Sequence, residues 1–195
     1  MKTYIQIGTN NGDDEFKQRI EGLSEKSNII LIEPHENLNE EIKKNYKKIS
    51  ENHNVNIINK AIVPCEYVKY VDLYYSPEHK GLSSLLKRKL LTTSLKKQVE
   101  AITMDSLLNQ LRITNVEELH IDAEGLDYEI LASINLEKLN LKFIICEFWP
   151  YDDDDELSNY RTGPNFFEEV KKKYSEYTIS ETVSGGMKSI LFKRE

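Results

Sequence analysis

A short apolar segment that runs directly into a glycine-rich turn opens the chain, and it restricts the folds open to the sequence. Residues 4–7 have the length and apolar character of a buried strand, and the pentapeptide GTNNG follows at residues 8–12. Phe16, Ile20 and Leu23 then recur at helical spacing, which predicts a helix over about residues 13–23. A glycine-rich turn between a strand and a helix lets the backbone approach a ligand closely, with the helix N-terminus facing that ligand. The N-terminus therefore predicts a strand, a ligand-binding turn and a helix.

The next fifty residues repeat this alternation of strand and helix. Residues 28–33 are apolar on both faces, which is typical of a parallel strand covered by helices on both sides. Residues 37–50 carry one apolar stripe of an amphipathic helix, and residues 55–62 have the character of a third strand. Right-handed crossovers join such units into a parallel sheet.

The second half of the chain continues the alternation less regularly. Strands are predicted at residues 67–75, 99–103, 118–122 and 143–148, and helices at 104–111, 126–133 and 164–174. Residues 177–180 and 188–192 are predicted to close the sheet as an antiparallel pair joined through two glycines. We therefore expect residues 1–195 to form a single α/β domain with a mostly parallel sheet, helices on both faces and an antiparallel C-terminal strand.

Composition limits the cellular setting and the partners. Hydrophobic residues make up 39% of the 195, which is enough for a real core. No apolar run approaches the roughly 20 residues of a membrane helix. Cys65 and Cys146 are far apart and lack CxxC spacing, so a reduced, cytoplasmic setting is expected. The net charge of -7 argues against a general nucleic-acid binder, which needs excess Lys and Arg to neutralise phosphates.

The ligand of the glycine turn is indicated by the residues around it. Glu33 ends the second predicted strand, 25 residues after Gly8, where an acidic side chain suits the two hydroxyls of a ribose. The dinucleotide pattern G-x-G-x-x-G would need glycine where Asn10 and Asp13 stand, and Asp13 would repel a pyrophosphate. S-adenosyl-L-methionine, with an amino-acid moiety, a sulfonium and a ribose, fits this turn. A plain strand–helix turn without a ligand is the alternative.

A second candidate site follows the strand predicted at residues 118–122. Asp122 and Glu124 are spaced by one residue at its C-terminal end. Ligands of open α/β sheets bind outside the carboxyl ends of the strands, so Gly8, Glu33 and Asp122 are expected to face one crevice. Spacing alone favours another interpretation, in which Glu124 caps the next helix and Asp122 is a solvated strand end.

Four motifs in order resemble the FkbM-type methyltransferases. They are IQIGTNNG at residues 5–12, IEP at 32–34, ITMDSLL at 102–108 and IDAEGLDYEIL at 121–131. The resemblance covers about residues 4–148. It implies a class I, Rossmann-like fold with a seven-stranded sheet, and S-adenosylmethionine-dependent O-methylation, usually of sugars or natural-product hydroxyls. The turn at residues 59–62 looks like the adenine side. The residues expected at the cofactor are Gly8, Asn10, Gly12, Glu33, Pro34 and Ala61.

Two departures from the family pattern bear on function. Gln6 stands where the family usually has Asp, so an acidic group for the cofactor's amino group is missing unless Asp13 or Asp14 replaces it. His120 stands where the family usually has Lys. We assign catalysis to Asp122 and Glu124, with Asp122 first because Gly125 breaks the strand, and with His120 second to both.

The remaining candidates concern metal and substrate. Glu147 ends the next predicted strand, and with Asp122 and Glu124 it could bind Mg²⁺, although hydrogen-bonded carboxylates without a metal explain the same pattern. Trp149 could stack on the apolar side of a sugar or be a half-buried rim aromatic. His35 and His79 are possible substrate-side bases, with exposed loop histidines as the favoured alternative.

These inferences together predict an O-methyltransferase acting on a sugar, nucleotide-sugar or glycan hydroxyl. An RNA or cap methyltransferase is one alternative, supported only by the basic residues between positions 80 and 97. A non-catalytic scaffold subunit that keeps the cofactor fold is another. Because the sequence starts at the first strand without N-terminal helices to cover the acceptor, the site is expected to be open or to be completed by a partner chain, for example in a homodimer.

Overall fold

A computed structural model describes residues 1–65, 68–76, 83–86, 95–148, 166–184 and 187–194 of the chain. Strands and helices alternate in it, as the apolar periodicity predicts. The first part contains β1 (Thr3–Ile7), α1 (Glu15–Glu21), β2 (Asn28–Ile32), a 3-10 helix (Glu36–Leu38), α2 (Asn39–Asn45), α3 (Lys47–Asn52), β3 (Asn54–Ile58) and β4 (Ala61–Ile62). The second part contains β5 (Tyr70–Tyr75), β6 (Leu95–Ile102), α4 (Met104–Leu111), β7 (Asn115–Ile121), α5 (Asp127–Ser133), β8 (Asn140–Phe148), α6 (Phe166–Lys173), β9 (Tyr177–Ser184) and β10 (Met187–Arg194).

Seven strands form the main sheet in the order β3-β2-β1-β7-β8-β10-β9. The pairs from β3 through β8 are parallel, whereas β10 runs antiparallel to both β8 and β9. This topology confirms the predicted mostly parallel sheet with an antiparallel C-terminal strand. The chain builds outward from β1 in one direction and returns to its other side with β7, so the strand order reverses between β1 and β7. That reversal is where open α/β sheets bind ligands.

The alternation of side chains along β1 divides the core into two layers. Ile5 and Ile7 belong to a cluster with residues of α4, α5 and α6, whereas Tyr4 packs with Phe16 of α1 and Ile42 of α2. Successive residues of a strand point to opposite faces, so both faces of the sheet are covered by helices. No helix in the part of the chain that the structure describes is long and apolar enough to cross a membrane.

The strand predicted at residues 55–62 is two strands in different sheets. β3 pairs with β2 at the edge of the main sheet, whereas β4 pairs with β6 in a second sheet of order β4-β6-β5. Asn59 lies between them, and its side-chain amide donates to the backbone oxygen of Glu33 at 3.0 Å and to Asn39 Oδ1 at 2.8 Å. These bonds fix the chain where it leaves the main sheet. The apolar pattern of residues 55–62 is continuous, so it does not reveal the step from one sheet to the other.

Two predicted helices have different bounds in the structure. Asp14 caps the first helix by accepting a hydrogen bond from the Lys17 amide, so α1 begins at Glu15 rather than at residue 13. The amphipathic helix predicted at residues 37–50 is a 3-10 turn and two helices, α2 and α3, that meet at Tyr46. The helix predicted at residues 104–111 is confirmed with the same bounds as α4.

Candidate cofactor and acceptor site

Gly8 is required where β1 meets β7. Its φ is +79°, and a Cβ atom added to it would lie 1.7 Å from the backbone oxygen of Asp122. The Asp122 amide in turn donates to the Ile7 carbonyl at 3.0 Å. A side chain at this position would therefore need both a left-handed backbone and a displaced neighbouring strand end. The glycine lets the loops after β1 and β7 meet at the reversal point of the sheet.

The rest of the glycine turn is folded against Glu33 and Tyr46. Asn10 has a φ of 51°, and its amide donates to Glu33 Oε2 at 2.8 Å. Gly12 has a φ of +73°, and an added Cβ atom would lie 2.9 Å from Cε2 of Tyr46. Gly12 thus makes room for a buried aromatic ring of the helical layer. A direct contact between Gly12 and a cofactor stays a prediction.

Glu33 is a buried carboxylate held by main-chain donors. Its side chain is 3% exposed, Oε2 accepts from the Asn10 amide and Oε1 accepts from the His35 amide at 2.8 Å. Burial raises the pKa of this carboxyl to about 7, against the opposing effect of the two backbone hydrogen bonds. Each carboxylate oxygen has two lone pairs, so each keeps acceptor capacity for a hydroxyl group of a ligand.

A cleft with an accessible volume of about 50 Å³ opens at the carboxyl ends of the strands. Five residues predicted for cofactor or catalysis line it, namely Gly8, Glu33, Pro34, Ala61 and Asp122. Lys60 and Ile62, from the turn expected on the adenine side, also line it. The remaining lining residues are Ile7, Ile32, Leu73, Ser83, Ser84, Leu85 and Ala123. The lining combines two carboxylates with a mostly apolar wall.

The second sheet forms part of this wall, and His35 helps to attach it. The His35 ring meets the Tyr75 ring edge-to-face at 4.6 Å between centroids, and Lys97 of β6 pairs with Glu36 beside it. His35 is 8% exposed, so the expected alternative of an exposed loop histidine is wrong. Burial, with Lys97 second, lowers the pKa of His35. Its contact with substrate stays a prediction.

Asp122 and Glu124 occupy a tight turn after β7. The strand ends at Ile121, and both Glu124 and Gly125 have positive φ angles of 51° and 115°. Asp122 lines the cleft, whereas Glu124 is absent from its described lining. Leu126 is the N-cap of α5 and makes no side-chain capping bond, so Glu124 does not cap that helix through the N-cap position.

Asp127 shapes this turn and was not assigned by the sequence analysis. It is 2% exposed, Oδ1 accepts from the Ala123 amide at 2.9 Å, and Oδ2 accepts from the Gly125 amide at 3.0 Å. The available signal was an Asp in the first helical turn, two residues after a glycine, where a carboxylate finds main-chain donors.

His120 and Gln6 face the α1 layer instead of the described lining of the cleft. Nδ1 of His120 lies 3.3 Å from Nη2 of Arg19, and its ring centroid is 5.8 Å from that of Phe16. Burial, and next the Arg19 charge, lower the pKa of His120 to about 4. Gln6 Nε2 donates to Asp14 Oδ2 at 2.6 Å, which brings an acidic group beside Gln6. A catalytic role for His120 stays a prediction.

The other predicted residues are less informative in the structure. His79 and Trp149 lie outside the described residues, and so does the side chain of Glu147. Among the residues described, no group of three or more His, Cys, Asp or Glu side chains could hold a metal ion. The predicted Mg²⁺ ion therefore has no support here.

The residues of the cleft fit S-adenosylmethionine. The buried Glu33 carboxylate suits a ribose diol, and the apolar side chains of Ile62 and Leu73 suit an adenine ring. Oδ1 of Asn10 is buried and has no hydrogen-bond partner among the described residues, so the turn retains an acceptor for a polar ligand group.

Comparison with known proteins agrees with this geometry. A protein from Clostridium thermocellum that is described as an rRNA-methylase superposes with a TM-score of 0.56 at 8% identity. The superposition covers 100% of this chain and 89% of that one. The delta-N METTL16 MTase domain gives 0.51 at 14% identity, covering 100% and 73%. The human methyltransferase 10 domain containing protein gives 0.50 at 13%, covering 98% and 70%. At these identities the likeness shows a shared fold, that of the class I, Rossmann-like methyltransferases.

The family follows from the sequence profile. No curated protein matches the chain at a significant level. The profile of the methyltransferase FkbM domain, in contrast, matches residues 6–177, which include the end of β1, the cleft and the turn after β7. Motif order, sheet topology and this match agree, and the chain belongs to the FkbM family of class I, S-adenosylmethionine-dependent methyltransferases.

Proposed function

We propose that this methyltransferase transfers the methyl group to a hydroxyl oxygen of a sugar, nucleotide-sugar or glycan. The observation that carries the proposal is one cleft lined by Glu33 after β2 and Asp122 after β7, on either side of the β1 turn. The first carboxylate suits the ribose of the cofactor, and the second suits the proton of an acceptor hydroxyl. Methyl transfer to oxygen requires a bound, aligned cofactor and removal of the acceptor proton.

The cofactor side of the cleft is built from Glu33, Gly8 and Ala61. Glu33 would accept hydrogen bonds from ribose hydroxyls, and Gly8 leaves space for the close approach of a ligand to the backbone. The wall that includes Ala61 would face the adenine. When bound, S-adenosylmethionine supplies an electrophilic methyl group on a sulfonium.

Asp122 is the proposed general base. A sugar hydroxyl is a weak nucleophile near neutral pH, so removal of its proton at or before the transition state is needed for a useful rate. Asp122 lines the cleft, and its carboxylate is the group that would accept that proton. The hydrogen bond from its amide to Ile7 fixes the main chain at this position, which limits the freedom of the side chain.

The described charges beside the cleft do not favour a polyanion such as RNA. Three lysines of the second sheet and its flank are each paired with an acid: Lys60 with Glu100, Lys96 with Asp72, and Lys97 with Glu36. Lysines already paired in this way contribute little to phosphate binding, and the net charge is -7. A carbohydrate hydroxyl needs no such cationic surface.

RNA is the second candidate acceptor, because one similar structure is described as an rRNA-methylase. That likeness extends to fold alone at 8% identity. The two acceptor classes differ in a measurable way, since binding to RNA would fall steeply with added salt and binding to a neutral glycan would not.

An acceptor panel tests the proposal. Purified protein with radiolabelled S-adenosylmethionine is given free sugars, nucleotide-sugars, glycans and structured or capped RNA, and methylated products are identified by mass spectrometry. We expect O-methylated carbohydrate and negligible RNA product, with turnover about 10²-fold lower in Asp122→Asn. RNA as the best acceptor would overturn the carbohydrate assignment. Cofactor binding without turnover on any acceptor would favour the non-catalytic scaffold.

A further inference from the structure

The turn between β7 and α5 is held in place by a buried carboxylate that no proposed step uses. Asp127 accepts hydrogen bonds from the amides of Ala123 and Gly125, one on each oxygen. We propose that Asp127 is the positioning residue of the acceptor site, because it fixes the turn so that Asp122 faces the cleft. The proposal rests on the role of Asp122 under the proposed function.

The turn needs such support because its own backbone is unfavourable. Glu124 and Gly125 adopt positive φ angles in succession, and a left-handed conformation is unfavourable for a residue with a side chain, such as Glu124. The two amides that Asp127 binds flank Glu124 on either side. Releasing them would let the turn relax toward ordinary backbone angles and would move Ala123, the residue after Asp122.

The turn is also held from the opposite side. The Ser84 hydroxyl donates to the Glu124 carbonyl at 2.8 Å, and Ser84 itself pairs with Tyr74 of β5 through two backbone hydrogen bonds of 2.8 and 2.9 Å. Through Ser84, the second sheet is therefore connected to the carbonyl of the Glu124–Gly125 peptide group. Asp127 binds the amide of the same group. Asp122 lies between these bonds and the close approach to Gly8, so its main chain is held at the edge of the cleft.

A carboxylate suits this position better than an amide. Two N–H donors converge on Asp127, and a carboxylate presents acceptors to both, whereas Asn presents one acceptor and one N–H donor. Asp127→Asn would thus leave either the Ala123 amide or the Gly125 amide facing a donor. The substitution changes few atoms, so its main effect is expected on the conformation of the turn.

The test compares two ligands that differ at the reacting position. Sinefungin is a cofactor analogue that has an amine in place of the transferred methyl group. S-adenosylhomocysteine has neither the amine nor the methyl group. A carboxylate at the acceptor position binds that amine through a charge-assisted hydrogen bond, which is worth about tenfold or more in affinity. The ratio of the two dissociation constants, measured by calorimetry, therefore reports where the Asp122 carboxylate lies.

Asp105→Asn is the matched control. Asp105 also lies in the first turn of a helix and accepts a main-chain hydrogen bond, from the Asn135 amide at 3.1 Å, but it does not line the cleft. We expect the wild type and Asp105→Asn to bind sinefungin at least about tenfold more tightly than S-adenosylhomocysteine. In Asp127→Asn we expect the ratio to approach one, with affinity for S-adenosylhomocysteine changed less than about threefold.

The outcomes distinguish the positioning role of Asp127 from the proposed function on which it rests. A full preference for sinefungin in Asp127→Asn would overturn the positioning role and leave the proposed function intact. No preference in the wild type would mean that Asp122 does not lie beside the reacting methyl group, and both proposals would fall. If Asp127→Asn does not fold, Asp127→Ser, which retains an acceptor and directs no fixed donor at the amides, is measured against the same expectation.

Discussion

At the scale of single residues, Gly8 has the clearest energetic consequence. Gly8→Ala should lower the free energy of unfolding by more than about 2 kcal/mol, because the new Cβ atom needs a left-handed backbone and meets Asp122 at 1.7 Å. Gly22→Ala is the control, since Gly22 has a φ of -80° and its added Cβ atom finds no neighbour closer than 3.4 Å. Urea unfolding of both variants measures the difference. Equal stabilities would show that the two loops separate at little cost.

The residues of the site differ in how well the sequence predicts them. Gly8 and Glu33 are recognisable because a turn glycine and a strand-end acid leave patterns within a few residues of an apolar strand. Asp127 and Ser84 are not, since their roles depend on which main-chain groups the fold brings to them. Ser84 reaches Glu124 across forty positions of sequence, and local patterning carries no record of such a bond.

At the scale of elements, the second sheet is predicted to influence cofactor affinity. Tyr75→Ala removes the edge-to-face contact with His35, the residue whose amide binds Glu33. Aromatic pairs contribute about 0.5–1.5 kcal/mol beyond their burial, so affinity for S-adenosylhomocysteine should fall about 2- to 10-fold.

Tyr70→Ala is the control for this prediction. Tyr70 lies on the same strand but is 45% exposed and makes its ring contact with Lys69. Its removal should leave the affinity unchanged in the same calorimetric titration. If the two substitutions change the affinity equally, the contact between Tyr75 and His35 does not help to position Glu33.

The elements of the main sheet are predictable from the sequence because its central strands are apolar and bounded by polar turns. β1, β2, α4 and α5 lie within two residues of their predicted positions. The second sheet was not foreseen, since β4 has two residues and is continuous in pattern with β3. Pairing between β4 and β6 joins segments about forty residues apart, and only the complete fold specifies it.

At the scale of the whole molecule, Glu33 and His120 are predicted to give opposite pH dependences. The pKa of Glu33 is raised from 4.5 to about 7, so the free energy of unfolding should fall by about 3 kcal/mol as pH rises through that window. The pKa of His120 is lowered from 6.5 to about 4, so its contribution should rise by a similar amount as pH rises from 4 to 6.5. In the wild type the two contributions nearly cancel between pH 4.5 and 6.5.

Single substitutions should reveal the two contributions. In Glu33→Gln the His120 contribution is no longer offset by Glu33, and the free energy of unfolding should rise with pH more steeply than in the wild type. In His120→Asn the Glu33 contribution is no longer offset by His120, and stability should fall relative to the wild type as pH rises. Denaturant unfolding at several pH values measures both slopes. Parallel curves for all three proteins would contradict the assignment of either group.

The central claim is that the cleft at the β1–β7 reversal binds S-adenosylmethionine through Glu33. Calorimetric titration with S-adenosylhomocysteine tests it most directly, with Glu40→Ala, an exposed helix residue paired with Lys43, as the control. We predict one site per chain in the wild type and the control, and affinity lower by about 1–3 kcal/mol in Glu33→Ala. Tight binding of NAD with no response to S-adenosylhomocysteine, or an unchanged affinity in Glu33→Ala, would contradict the account.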